Sequence, residues 1–173
     1  TGAAAWVAHH YIEYYLYTGD MKFLKNRAYP FLYETALFYE DFFTLDDKGM
    51  YVSLPSNSPE NTPGNFWDGK GMGSKMETTI NATLDFALAK EVLSNLIKIA
   101  KYTDSSEADK EKWAEMLARI PEYEINEDGA VKEWMHPSFE DNYHHRHMSH
   151  IYPVFPGNEV RKTTDPELFK AFQ

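Results

Sequence analysis

Residues 45–77 constrain this chain most. Lying between helical runs, they carry Pro55, Pro59, Pro63, Gly64, Gly69, Gly71 and Gly73. Neither a helix nor a long strand runs through that density of prolines and glycines. Structureless loops beyond about 12–15 residues are uncommon in compact domains and are usually functional or disordered. This one also holds Phe66 and Trp67, apolar groups that suit an ordered loop, so it reads as a functional loop on a helical scaffold. At its start Asp46-Asp47-Lys48-Gly49 reads as a turn, and Met50-Tyr51-Val52-Ser53 as a short strand.

Helical patterning flanks the loop. Residues 2–18 are apolar nearly all round, with Trp6, His10, Tyr14 and Tyr17 along one stripe and Ala4, Ala8, Tyr11 and Tyr15 along another. A helix without a clear wet face is expected to be buried on several sides. Gly19 is placed as its C-terminal stop, Asp20 as the next cap, and Pro30 in the first turn of a helix to about Phe43. Beyond the loop, Leu84, Leu88, Val92, Leu96 and Ile99 form an apolar stripe from near Thr79 to about Tyr102. Asp85, beside that stripe, reads as a solvent-facing or helix-N-terminal carboxylate. Ser106 caps a charged amphipathic helix with Trp113 and Leu117 inward, ending before Pro121. Residues 120–134 alternate weakly around Asp128-Gly129, a hairpin signal. Asp165-Pro166-Glu167 opens a last helix by cap and proline chemistry.

Composition narrows the function classes. The chain has 173 residues, 43% hydrophobic and 16% aromatic, enough for a real core and far from a disordered composition. A net charge of −10 without a Lys/Arg-rich run argues against nucleic acid, whose phosphates need a basic patch. No apolar run approaches the roughly 20 residues that span a bilayer, so no membrane partner is expected. There is no cysteine, which excludes disulfides and thiolate metal sites. The chain opens on Thr1-Gly2-Ala3 and closes on Phe172-Gln173, each inside helical patterning. Residues 1–173 are therefore expected to be part of one helical-barrel domain, truncated at both ends.

Two places carry chemistry. In Ser58-Pro59-Glu60-Asn61 the proline stiffens the backbone on both sides of its ring, holding the Glu60 carboxylate beside the Asn61 amide. A catalytic carboxylate and a solvent-facing turn residue both fit. The second place is His144-His145-Arg146-His147-Met148-Ser149-His150, with His136 upstream. It reads as a metal site built on His147 and His150 with His144 or His136, as buried structural histidines, or as donors to sugar hydroxyls. It lacks a His-Glu-x-x-His pattern, and no metal or cofactor is expected. Trp6 and Trp67 suit either a core or a sugar-stacking face.

Taken in order, these segments form a set. Thr18-Gly19-Asp20 follows Trp6 and His10; then come Ser58-Pro59-Glu60-Asn61, Glu133-Trp134, His145-Arg146-His147-Met148-Ser149-His150 and Phe155-Pro156-Gly157. Over nearly the full chain this resembles the central part of the catalytic domain of glycoside hydrolase family 95, the α-L-fucosidases. The resemblance implies an all-α fold, an incomplete (α/α)6 helical toroid with long loops and a short β-hairpin. It also implies an inverting mechanism on terminal α-L-fucosyl residues of an oligosaccharide or polysaccharide. Carried over residue by residue, Glu60 is the general acid, Arg146 and His147 contact the sugar, and Trp6, Asn61 and His10 complete the binding set. The family's general base is an Asp beyond the stretch that this chain matches, so the segment alone is expected to be inactive and to need the remainder of its own domain. Relatives are often exported, which favours a periplasmic or extracellular setting slightly. Tyr14 stands where a His is common, and Ile151 to Phe155 replace a usual Leu-Tyr-Gly-Leu-Tyr run. Other readings are an α-L-galactosidase, a helical-toroid phosphorylase and a non-catalytic sugar-binding toroid.

Overall fold

The computed structural model describes residues 2–67 and 78–173. The expected loop glycines Gly69, Gly71 and Gly73, and Thr1, lie outside the described residues. The described residues are mostly helical, with one short pair of strands. They fall into two compact units, Gly2–Tyr51 with Leu88–Pro121, and Val52–Ala87 with Glu122–Gln173.

In the first unit, α1 (Ala3–Thr18) ends where expected: Gly19 adopts φ 67°, and its N–H donates to the Tyr15 carbonyl. The left-handed residue satisfies a terminal carbonyl at no Cβ cost. The buried stripe of α1 differs from both expected ones. It is Ala5, Ala8, His9 and Ile12, while Val7, Tyr14, Leu16 and Tyr17 are exposed within this chain. An all-apolar helix carries no internal preference for one face, so its neighbours select it. Small residues at 5 and 8 permit close approach. His9 is fixed by two carboxylates, Nδ1 at 2.7 Å from Glu91 and Nε2 at 3.5 Å from Glu13.

Asp20 caps the next segment, as expected, by accepting from the Phe23 N–H. Chain direction is kept through α2 (Met21–Phe23), a π-helical turn (Leu24–Ala28) and α3 (Tyr29–Phe42). Pro30 lies in the first turn of α3, as expected, and within a continuous helical run. A proline inside a helix loses a donor and crowds the carbonyl four residues back, and the wide π turn just before it relieves both. Tyr11 stacks on Phe31 at 4.9 Å and Tyr14 meets Phe23 at 4.4 Å. Leu24, Leu32 and Ala28 are fully buried. Strands β1 (Thr44–Leu45) and β2 (Tyr51–Val52) pair around the expected turn, in which the Asp46 side chain accepts from the Lys48 and Met50 N–H groups.

The apolar stripe on α4 (Thr83–Ile99) is buried as expected, and Phe86, Ala89 and Leu93 are buried too. A 3₁₀ turn at Ala100–Tyr102 follows. α5 (Glu107–Arg119) begins with a full capping box between Ser106 and Asp109, the arrangement that pairs two otherwise orphaned N–H groups. Trp113 and Met116 are its buried residues, with Leu117 half-buried.

The second unit has little regular structure apart from the first turn of α4 and α6 (Pro166–Ala171). The Asp128-Gly129 turn forms, but the expected hairpin shrinks to one bridge, Ile125 with Val131. The Val131 N–H instead donates to Ala171. Pro166 opens α6, whereas Asp165 does not cap it; the Asp165 carboxylate accepts from Thr164 Oγ1 at 2.5 Å. Among the described residues no helix is long and apolar enough to cross a membrane.

Candidate active site

Three stretches of the second unit, 53–67, 79–85 and 133–150, meet through side-chain hydrogen bonds. Ser53, Ser56, Ser58, Asn61, Thr79, Thr83, Asp85 and Glu133 are all buried, and buried polar groups are tolerable only when partnered. Asp85, in the first turn of α4, faces inward. It accepts from Ser56 Oγ at 2.7 Å, Asn57 N–H at 3.3 Å and Ser53 Oγ at 3.4 Å. The solvent-facing alternative for Asp85 is therefore overturned: the serine-rich loop supplies donors that replace water. Gly64 lets the other end of the loop close. Its N–H donates to Glu140 at 2.8 Å, and a Cβ there would meet the Asp141 carbonyl at 2.9 Å.

Glu60 stands on this platform with its side chain 65% exposed. An Arg146 terminal nitrogen donates to it at 3.2 Å, and His147 Nδ1 lies 3.7 Å away. The peptide bond joining it to Pro59 is cis. Ser149 Oγ donates to the Pro59 carbonyl at 2.7 Å, which ties the Glu60 segment to the histidine-rich one. The first and second sequence candidates thus come together as one cluster of a carboxylate, a guanidinium and an imidazole. Such a group can donate or accept a proton and orient hydroxyls.

Asn61 takes a different place. It is 2% exposed; Nδ2 donates to Glu133 Oε2 at 2.6 Å and to the Asn142 carbonyl at 3.0 Å, and Oδ1 accepts from the Thr62 N–H. Its amide is committed to holding the loop. Trp6 and His10 lie on α1 in the other unit, Trp6 at 39% exposure and His10 exposed. Phe66 packs on Phe139 and Trp67 stacks on His144 at 5.2 Å.

The carboxylate that sequence reasoning missed is Glu133. Its side chain is 4% exposed, and Ser58 Oγ donates to Oε1 at 2.6 Å while Asn61 donates to Oε2. Burial pushes its pKa up to about 7, with the Asp141 charge adding to the rise and the two hydrogen bonds opposing it. A pKa near neutrality suits a general acid, but both oxygens are occupied and enclosed, so Glu60 is the carboxylate a ligand can reach. His150 Nδ1 lies 3.8 Å from Glu133. Burial lowers the His150 pKa, so that ring is neutral at neutral pH and the pair is not an ion pair. The available signal for Glu133 was the pair of hydroxyl and amide donors at 58 and 61, which requires a buried acceptor.

As for metal, one ligand atom from each of Glu60, His145 and His147 falls within 4.8 Å of the others, and so does a set from His9, His10 and Glu13. The expected face of His147 and His150 is not one of these sets. His136 packs on Phe139 and accepts from the Ser138 N–H.

Comparison with known proteins places this chain in a family. The glycosyl hydrolase family 95 catalytic domain matches residues 1–173. "Alpha-L-fucosidase 2" of Arabidopsis thaliana is 31% identical over 173 residues, covering 98% of this chain and 20% of the plant protein. "Probable alpha-fucosidase A" of Aspergillus niger is 25% identical over 158 residues, covering 88% of this chain and 19% of the fungal one. The chain spans about a fifth of the length of these curated relatives. With the family match running from its first residue to its last, this chain belongs to glycoside hydrolase family 95, within the catalytic domain.

Proposed function

We propose that the chain is part of the catalytic domain of an inverting glycoside hydrolase that removes terminal α-L-fucosyl residues from glycans, with Glu60 as its general acid. The observation that carries this reading is the exposed Glu60 carboxylate set against Arg146 and His147 on an otherwise buried, hydrogen-bonded platform. The names of the two relatives supply the sugar. The domain belongs to a helical toroid, of which residues 1–173 supply one portion.

In this mechanism Glu60 protonates the leaving oxygen while a second carboxylate activates water on the opposite face of the sugar. The two carboxyls of an inverting pair stand roughly 6.5–9.5 Å apart, and the base comes from outside residues 1–173. Arg146 and His147 donate to sugar hydroxyls. A hydroxyl that takes up the guanidinium competes with Glu60 for it. Asn61 serves this site as an anchor beneath the loop. The isolated segment turns over no substrate, because the base is lacking.

The test is Glu60→Gln in the full-length protein. The expected result is a loss of about 10²–10⁴ in rate on fucosides with poor leaving groups, the usual worth of general-acid catalysis. A near-wild-type rate on such a substrate overturns the assignment, and turnover that depends on phosphate replaces hydrolysis with phosphorolysis.

A further inference from the structure

Glu60 is mostly exposed, so packing of its own side chain does not fix where it points. Its direction depends on how the ends of its short segment are held. Ser58, two residues before it, donates to Glu133 Oε1 at 2.6 Å, and Asn61, the residue after it, donates to Glu133 Oε2 at 2.6 Å. One carboxyl group therefore grips both ends of the segment. Glu133 is itself anchored: its N–H donates to Asp141 Oδ1 at 2.8 Å, and its carbonyl accepts from the Thr83 N–H at 3.0 Å. The clasp joins residues 72 and 75 positions apart in the chain.

We propose that Glu133 is the positioning residue for Glu60, its carboxyl clasping Ser58 and Asn61 so that the carboxylate between them is aimed at the leaving oxygen. This rests on the reading of Glu60 as proton donor. The chemistry of the clasp makes it separable from simple structural support. Asn61 Nδ2 can only donate, whereas the Ser58 hydroxyl can donate or accept. A glutamine at 133 therefore keeps both bonds, its Oε1 accepting from Asn61 and its Nε2 donating to Ser58. An alanine keeps neither. Displacing a catalytic group by about 1 Å costs on the order of 10²-fold in rate. That loss falls on substrates that need the proton, because a good leaving group departs without one.

The experiment uses the full-length protein with two fucosides, one with an alkyl leaving group and one with an activated aryl group. Glu133→Ala is expected to lower kcat on the alkyl fucoside by about 10²-fold, with KM little changed, and to change the aryl fucoside by less than about threefold. Glu133→Gln is expected to stay within about threefold of wild type on both. In a Glu60→Gln background, Glu133→Ala should add less than about twofold, because two changes acting through one group are not additive. Equal losses on both substrates, or losses that multiply with Glu60→Gln, overturn the positioning role. If Glu133→Ala does not fold, Ser58→Ala removes one arm of the clasp and must show the same leaving-group signature at smaller size; without it the proposal fails. If Glu60→Gln itself shows no leaving-group-dependent loss, the general-acid reading falls instead.

Discussion

Both units bury apolar side chains, Phe86, Trp134 and Tyr152 among them in the looped one, but they differ in what else holds them together. In Gly2–Tyr51 with Leu88–Pro121, helices meet through apolar and aromatic groups such as Leu24, Leu32, Tyr39 and Trp113. In Val52–Ala87 with Glu122–Gln173, irregular chain is joined by side-chain hydrogen bonds that converge on two buried carboxylates, Asp85 and Glu133. Apolar burial is non-directional and adapts to changes of shape. A hydrogen-bonded carboxylate is directional, and removing it strands several donors at once. The helical unit is therefore a tolerant scaffold. The looped unit holds its candidate catalytic group in one arrangement because its partners allow few others.

The sharpest way to break this contrast is Asp85→Ala. It leaves Ser53, Ser56 and Asn57 donors without their acceptor, and at about 1–3 kcal/mol for each stranded group the expected cost is at least about 3 kcal/mol. Chemical denaturation measures it, and a cost under about 1 kcal/mol would put the looped unit in the tolerant class.

A pH profile comes next. The Glu133 pKa rises from 4.5 to about 7 on folding, so the fold favours its protonated form. That contribution is complete below about pH 4.5 and is lost as pH rises through about 7. At 1.36 kcal/mol per unit the whole change is about 3 kcal/mol. The charged and titratable groups facing it are Asp141, which adds to the rise, and His150. His150, whose pKa burial lowers, works in the opposite direction: its contribution fades as pH falls below its ordinary value. The informative quantity is thus the difference between wild type and Glu133→Gln, which should slope downward from pH 4.5 to 7.5. A flat difference contradicts the buried, proton-favouring environment.

The smallest effect belongs to the helical unit. Leu32→Met, a volume-conserving change at a fully buried site, is expected to cost less than about 1.5 kcal/mol. If thermal unfolding shows a loss as large as that of Asp85→Ala, the two units do not differ in tolerance and the comparison collapses.

Legibility in the sequence divides along the same line. The Gly19 stop, the Asp20 and Ser106 caps and the Asp46–Gly49 turn were readable because their partners lie within four residues. Pro30 in the first turn of α3 was readable as well, whereas the π turn that joins this helix to α2 carried no local signal. Glu60, Arg146 and His147 could each be singled out as chemistry-bearing residues, yet nothing in their spacing put them in contact. Glu133 was marked only indirectly, by its place beside Trp134 and by donors at 58 and 61 that need an acceptor.

By itself, then, the sequence determined the helical character, the local stops and caps, the long proline- and glycine-rich loop and the family. Those depend on short-range backbone geometry and on the order of motifs along the chain. Only the tertiary structure decided which stripe of α1 is covered, that Asp85 and Glu133 face inward, and that Glu60 meets Arg146. Each of those follows from burial and from hydrogen bonds between groups far apart in sequence, 86 residues in the case of Glu60 and Arg146. A carboxylate's environment is set by whatever the fold brings to it, and that information is spread over the whole chain.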